Sequence, residues 1–161
     1  YGHNEAAVRA AGELLAGWSG SLVGIVGVPG DRTDELISNT ARAAASAFPH
    51  VVLREDDDLR GRAQGEVAEL MRGVIETAAP EVRVDVVPGA CQALADLLPA
   101  VADGALVAIF YEHLEEVVEL LEPVGALHVD ALPFDGVSTG QDRYTRRLPL
   151  SAWKASAGGP S

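Results

Sequence analysis

The chain has 161 residues, of which 48% are hydrophobic and 22% are charged, and this mix is typical of a single globular domain. Its 12 basic and 24 acidic side chains leave a net charge of −12, which argues against general binding to nucleic acid or to an anionic membrane. No apolar run approaches the roughly 20 residues that a membrane-spanning helix needs.

The cysteine and histidine content limits the kinds of covalent and metal sites that this chain can contain. The single cysteine, Cys91, excludes an internal disulfide framework and a multi-cysteine zinc site, and it fits a reducing compartment such as the cytoplasm. We expect Cys91 to be a small core residue. The four histidines lack the spacing of zinc ligands, so no metal site is predicted in this chain.

Apolar runs alternate with amphipathic helical patterns along the chain. The predicted strands are Leu22–Val28, Val51–Arg54, Val82–Val87 and Ala105–Tyr111. The predicted helices cover residues 5–18, 33–48, 65–79, 91–102 and 113–122. Strands separated by helices require right-handed crossovers, so the pattern predicts an α/β fold, a Rossmann-like three-layer α/β/α sandwich with a mostly parallel sheet. The pattern leaves the strand order open.

Several details of these elements can be predicted. The first strand is apolar throughout, which is typical of a strand buried on both faces, whereas the third alternates and is expected nearer a sheet edge. Asn4 and Thr33 are predicted N-caps of the first two helices. The apolar face of the first helix is predicted to consist of Ala6, Ala10, Leu14 and Trp18.

The composition changes towards the C-terminus. Residues 1–135 are predicted to form the α/β domain, with 126–132 as a candidate edge strand. Residues 136–161 are rich in Gly, Ser, Thr and Pro and are predicted to form a flexible tail. The chain begins at Tyr1, without a methionine and directly at an apparent motif, so we interpret it as a piece of a longer protein.

Ligands of open α/β sheets bind outside the carboxyl ends of the strands, which directs attention to the loops there. The predicted loops at this edge are Pro29–Arg32, Glu55–Arg62, Pro88–Ala90 and Glu112–His113. The first, P-G-D-R, is either an anion-binding turn at a helix N-terminus or a plain turn with a surface Asp–Arg pair. Neither G-x-x-x-x-G-K-[ST] nor G-x-G-x-x-G occurs, so we expect this chain not to hold a nucleoside triphosphate alone.

The second loop, R-E-D-D-D-L-R-G-R at Arg54–Arg62, sets three arginines around four carboxylates. A free amino acid carries an ammonium and a carboxylate, and a loop of mixed sign can bind both groups. Its three adjacent aspartates could also attract a divalent cation. The alternative is a solvated loop that neutralises its own charge.

These motifs together resemble the C-terminal domain of the Mur ligase family over about residues 1–125, and within that family the Mur-like domain of cyanophycin synthetases. Y-G-H-N at Tyr1–Asn4 is similar to the family's D-Y-x-H-[NT]-P motif. The resemblance also rests on G-V-P-G-D-R at Gly27–Arg32, and on the Arg54–Arg62 loop followed by G-E-V at Gly65–Val67.

The resemblance implies a substrate-binding C-terminal domain of an ATP-dependent amide ligase, which positions an incoming amino acid, arginine, for attack on an acyl phosphate. ATP and Mg²⁺ would be held mainly by an upstream Mur-type ATPase domain, and this fragment alone would bind no cofactor. The implied partners are that domain and the amino acid, without nucleic acid or membrane, and homo-oligomerisation is left open. The alternative is a non-catalytic Mur-like module for small-ligand binding or assembly.

The resemblance also implies roles for individual residues, none of them catalytic. The residues implied near the nucleotide or facing the cleft are His3, Asn4, Asp31 and Arg32. Those implied to bind the amino acid are Asp56, Asp57, Asp58, Arg60, Arg62 and Glu112. The family's D-N-P-R motif is D-D-L-R here and its G-K-G-H-E motif is replaced by F-Y-E-H, so we expect a different side-chain specificity.

Overall fold

The structure, a computed structural model, describes residues 4–55, 58–111 and 113–127. The helices are α1 (Glu5–Leu15), α2 (Asp34–Ala47), α3 (Glu66–Ala78), α4 (Ala90–Leu97) and α5 (Leu114–Leu121). The strands are β1 (Leu22–Val26), β2 (His50–Arg54), β3 (Arg83–Val87) and β4 (Leu106–Ile109). Most of the candidate edge strand at 126–132 and all of the predicted tail at 136–161 lie outside the described residues.

The four strands of the described chain form one sheet in the order β3-β2-β1-β4, and every pairing is parallel. All five residues of β1 are buried at the centre of the sheet. The alternating strand β3 lies at an edge, as predicted. The apolar strand β4 is paired only with β1 among the described residues and is half-buried, because fewer neighbours cover an edge strand.

Helices cover both faces of this sheet, which confirms the predicted three-layer α/β fold. Leu22 and Val26 of β1 join a core cluster that includes residues of α1, α2 and α3. Val23 and Ile25 point to the opposite face and join a second cluster that includes residues of α4 and α5. Side chains alternate along a strand, so a strand that is apolar throughout supplies both cores.

Three of the four residues predicted for the inward face of α1 are wrong. Leu14 is 48% exposed and Ala6 and Ala10 are also exposed, whereas Val8 and Leu15 are buried. The fourth, Trp18, packs against the same core, as predicted. An alanine-rich helix offers two apolar stripes at helical spacing. The bulkier Val8–Leu15 stripe is buried because its larger side chains remove more apolar surface from water.

Helix α4 ends earlier than predicted. It closes at Leu97 rather than near residue 102. Pro99 follows two residues later, and a proline has no backbone N–H to continue the helical hydrogen bonds. The two N-caps were predicted correctly, since Asn4 Oδ1 accepts from the amide of Ala7 and Thr33 Oγ1 accepts from the amide of Leu36.

The connections place a crevice at the carboxyl edge of the sheet. From β1 the chain moves outward through α2 and α3 to β3, and it then returns through α4 on the other face to β4, beside β1. The strand order therefore reverses between β1 and β4. In open α/β sheets this reversal is where ligands bind.

Candidate functional site

The turn after β1 packs directly against the loop after β2. Gly30 is buried, and a Cβ added to it would lie 2.2 Å from the carbonyl oxygen of Leu59. Only glycine allows the two backbones to come this close. The contact joins the two motifs that the sequence placed at this edge, although about 25 residues separate them along the chain.

Arg62, the last residue of the second loop, stabilises this contact with hydrogen bonds. Its Nε donates to the carbonyl oxygen of Gly30 at 3.1 Å, and its Nη2 donates to the carbonyl oxygen of Arg32 at 3.0 Å. Nη2 also lies 2.6 Å from Asp34 Oδ1, and Nη1 lies 2.8 Å from Glu66 Oε1. The hydrogen bond to Asp34, followed by that to Glu66, raises the pKa of the Arg62 guanidinium.

All three side-chain nitrogens of Arg62 thus have acceptors within the chain itself. These four hydrogen bonds use four of the five N–H donors of the guanidinium, so the side chain serves mainly to hold the loops together. Of the arginines that the resemblance assigned to the amino acid, Arg62 is therefore the one built into the scaffold.

Two glutamates stabilise the segment between the second loop and α3. Glu66 Oε2 accepts a hydrogen bond from the Ala63 amide at 3.0 Å, and Glu55 Oε1 accepts one from the Gly65 amide at 2.6 Å. The Ala63 bond, followed by the Arg62 bond, lowers the pKa of the Glu66 carboxyl. Both carboxylates bond amides that lie immediately before or at the start of α3, where backbone donors would otherwise lack partners.

Arg60 has a left-handed backbone conformation. Its φ is +49°, and it is the only non-glycine residue with a positive φ among those that the structure describes. The Asp58 carboxylate stabilises this turn by accepting from the Arg60 amide at 3.0 Å. The Arg60 guanidinium then reaches Asp31, with Nη1 3.3 Å from Oδ2. Strained backbone of this kind often occurs at functional sites.

A cleft of about 590 Å³ opens beside this pair, and we call it the arginine cleft. Its residues come from the N-terminal turns of α1 and α2, from the turn after β1 and from the loop after β2. They are Asn4, Glu5, Ala6, Arg9, Val28, Pro29, Arg32, Leu36, Thr40 and Arg60. Three arginines thus face one cleft, and Glu5 pairs with one of them, 2.9 Å from Arg9 Nε.

A second, smaller recess of about 110 Å³ lies under α4 and α5 at the ends of β2 and β4, and we call it the β4-end pocket. Its residues are Arg54, Glu55, Gly89, Ala90, Cys91, Gln92, Tyr111, His113, Glu116 and Val117. The core position expected for Cys91 is wrong. Cys91 is half-buried in the first turn of α4, and its Sγ lies 3.9 Å from Glu116 Oε2.

The structure brings some of the predicted site residues together and does not describe others. Asp31 meets Arg60, and both lie at the same edge as Asn4 and Arg32. The predicted site residues His3, Asp56, Asp57 and Glu112 lie outside the described residues. Within residues 4–55, 58–111 and 113–127, no group of three His, Cys, Asp or Glu side chains is placed to hold a metal ion.

Sequence reasoning treated Arg54 as part of the charged loop, but the structure buries it. Arg54 is only 3% exposed, and its Nε and Nη2 donate to the carbonyl oxygen of Phe110 at 3.3 and 3.2 Å. Its position as the last residue of an apolar strand was the sequence feature that could have predicted this burial.

The helices of the described chain are all too short or too polar to cross a membrane.

Comparison with known proteins agrees with this geometry. No protein-family model matches the chain. It is 36% identical over 122 residues to cyanophycin synthetase of Geminocystis herdmanii (strain PCC 6308), which covers 76% of this chain and 14% of that protein. It is also 36% identical over 129 residues to cyanophycin synthetase of Synechocystis sp. (strain ATCC 27184 / PCC 6803 / Kazusa), which covers 78% of this chain and 15% of that protein.

Among solved structures, UDP-N-acetylmuramoyl-L-alanyl-D-glutamate--2,6-diaminopimelate ligase matches with a TM-score of 0.61 at 16% identity, over 79% of this chain and 29% of that one. The fold is therefore that of a part of a Mur ligase. The sequence matches then confirm the predicted resemblance to the Mur-like domain of cyanophycin synthetases. The chain spans about a seventh of the length of these relatives, as the 14% coverage shows.

The close approach at Gly30 predicts opposite effects for two Gly→Ala variants. Gly30→Ala should lower the free energy of unfolding by about 1–3 kcal/mol, because its Cβ would force the Leu59 carbonyl away. Gly73→Ala, within α3 and with open space around the added Cβ, should instead stabilise by about 0.5–1 kcal/mol. Urea denaturation followed by circular dichroism measures both. A Gly30→Ala protein as stable as the parent would show that the loops separate at no cost.

The lowered pKa of Glu66 predicts a pH-dependent contribution to stability. Its pKa in the folded state lies below the ordinary value of 4.5, so the contribution is present above that value and is lost as the pH falls through the folded-state pKa. Glu66→Gln should therefore be less stable than the parent near neutral pH, and this difference should shrink in acid. Urea denaturation across a pH series measures it. Glu119→Gln on the exposed face of α5 is the matched control, and an equal pH dependence in both variants would contradict the assignment.

Proposed function

We propose that this chain is the C-terminal substrate-binding domain of an ATP-dependent amide ligase of the cyanophycin synthetase type, acting with an upstream Mur-type ATPase domain. The observation that carries the proposal is the meeting of Asp31 and Arg60 at 3.3 Å across two loops that the glycine contact joins. The relatives carry the name cyanophycin synthetase, and this chain matches about a seventh of their length, which leaves room for an ATP-binding part. The single cysteine fits a cytoplasmic enzyme.

The arginine cleft is the side of the domain that we assign to the nucleotide and the acyl phosphate. Arg9, Arg32 and Arg60 outnumber the described carboxylates that pair with them, Glu5 and Asp31, so the cleft is locally positive on a chain whose net charge is −12. Planar guanidinium groups bind phosphate and carboxylate oxygens in pairs of hydrogen bonds. We assign ATP and Mg²⁺ mainly to the upstream domain, with His3, Asn4, Asp31 and Arg32 facing it across the cleft.

The β4-end pocket is the side that we assign to the cationic group of the incoming amino acid. Glu55 and Glu116 line this pocket, and Glu112 falls between its lining residues Tyr111 and His113 in the sequence. A carboxylate pair of this kind suits the guanidinium or ammonium of arginine. Asp56, Asp57 and Asp58 of the neighbouring loop would add to the attraction, and Arg60 would hold the carboxylate of the amino acid.

The chemistry assigned to the domain is positional. The amine nitrogen of the amino acid attacks the carbonyl carbon of the acyl phosphate, the carbon–oxygen bond to phosphate breaks, and inorganic phosphate and a proton are released. The domain would hold the amine in line with that carbon and, on closing against its neighbour, exclude the water that would hydrolyse the acyl phosphate. We assign no residue of this chain the role of an acid or a base in this step.

Arg60→Ala in the whole enzyme tests this assignment. Loss of a hydrogen bond to a charged group should lower kcat/KM for the amino acid about 10- to 100-fold, while the fold remains intact. The matched control is Arg72→Ala, which removes an exposed arginine paired with Glu69 on α3, away from both recesses. Steady-state kinetics with circular dichroism on the same samples measures the effect, and an unchanged kcat/KM in the Arg60 variant would reject the role.

Calorimetric titration of the isolated chain separates this proposal from a free-standing binding module. A domain that supplies half of a site should bind ATP, aspartate and arginine no tighter than about 1 mM when its neighbour is absent. The titrations are run singly and in pairs against the 161-residue chain. Micromolar binding of any one of them would favour the non-catalytic, ligand-binding alternative.

A further inference from the structure

Arg54 connects the ends of two strands that are not neighbours. It is the last residue of β2, and both of its bonds to the Phe110 carbonyl end on the residue that follows β4. In the sheet order β3-β2-β1-β4, strand β1 lies between them. The side chain therefore crosses the carboxyl end of β1 to reach β4.

A glycine provides the path for this crossing. Gly27 directly follows β1, and a Cβ added there would lie 2.9 Å from the Arg54 carbonyl oxygen and 3.0 Å from Arg54 Cγ. Any side chain at position 27 would push against the backbone of β2 as well as the arginine. Gly27 and Arg54 are therefore interdependent, because the glycine leaves the space that the arginine side chain fills.

Burial of this arginine would be costly if it served packing alone. A guanidinium that is 3% exposed loses most of its hydration, and an apolar side chain of similar volume would fill the space at a smaller cost. An apolar side chain lacks donors for the Glu55 carbonyl, which Nη1 reaches at 3.5 Å, and for the Phe110 carbonyl. That carbonyl immediately precedes Tyr111, which together with Arg54 and Glu55 lines the β4-end pocket.

We propose that Arg54 is a positioning residue, which ties the segment after β4 to the segment after β2 and so holds the two walls of the β4-end pocket at a fixed separation. The inference rests on the proposed function in one respect, namely that this pocket receives the amino acid. It assigns Gly27 a specific task as well, which is to keep the path of Arg54 open. The arginine acts through the backbone that it holds and is not itself assigned a contact with the substrate.

The kinetic test uses Arg54→Met and Arg54→Lys in the whole ligase. Arg54→Met removes both donors to Phe110, so KM for the amino acid should rise about tenfold or more while KM for ATP stays within about twofold. Arg54→Lys keeps one charged donor and should recover part of the loss. A purely structural role would reduce the folded fraction, which lowers the apparent kcat and leaves both KM values unchanged.

A second measurement needs no activity. Hydrogen exchange of the isolated chain should show faster exchange at Phe110 and Tyr111 in Arg54→Lys than in the parent, with exchange in α1 unchanged. Unchanged exchange after β4 would overturn the inference whatever the kinetics show. Faster exchange with an unchanged amino-acid KM would support the positioning role and instead contradict the assignment of the amino acid to this pocket.

Glycine variants supply the matched control. Gly27→Ala should raise the amino-acid KM as Arg54→Lys does, and the two changes combined should have less than their summed effect, because both act on one contact. Gly24 lies three residues earlier, inside β1, and a Cβ added there would collide with the Phe48 ring in the core, 2.4 Å from its Cδ2. Gly24→Ala should therefore lower stability without changing that KM. The proposed cooperation of Gly27 and Arg54 would be rejected by either of two results. The effects of Gly27→Ala and Arg54→Lys on the amino-acid KM could be fully additive, or Gly24→Ala could change that KM by an equal amount.

Discussion

The carboxyl edge of this domain depends on the missing side chain at Gly30. The turn after β1 can lie against the Leu59 carbonyl only because a Cβ, which would sit 2.2 Å from that oxygen, is absent. Arg62 then locks the approach with bonds to backbone carbonyls and to carboxylates on both sides of it. Asp31 and Arg60 belong to separate loops along the chain, and this contact is what sets their side chains 3.3 Å apart.

The three arginines of one nine-residue motif occupy three different environments. Arg54 is buried and bonds the backbone after β4, whereas Arg62 uses four of its five N–H donors on acceptors of the surrounding loops and helices. Arg60 stands at the surface in a left-handed conformation, 36% exposed and facing the arginine cleft. The first two arginines use most of their donors within the fold. Under the proposed function, they build the edge and the third binds the ligand.

The sequence was sufficient for the fold class because an apolar strand between amphipathic helices has few stable arrangements other than a covered parallel sheet. It could not specify the strand order, since parallel pairing leaves no local pattern. The face of α1 was predicted wrongly because Ala10 and Leu14 form a stripe that competes with Val8 and Leu15 at the same spacing. The location of the site followed from the rule for parallel strands, whereas the burial of Arg54 depends on neighbours more than 50 residues away, which only three-dimensional packing reveals.

Charge is divided between the two recesses of this edge. The arginine cleft lies between the α1 and α2 side of the sheet and the loops, and three of its side chains are cationic, whereas the β4-end pocket lies under α4 and α5 and is lined by Glu55 and Glu116. A net charge of −12 disfavours the approach of an anion over most of this surface, whereas the arginines of the cleft make one face locally less negative. Under the proposed function, Glu55 and Glu116 attract the cationic group of the amino acid on the other face, while Arg60 holds its carboxylate. With these assignments, the two recesses attract different charged groups of the reactants before they meet. The hydrogen bonds of Arg62 and Arg54 hold the two recesses at a fixed distance from each other.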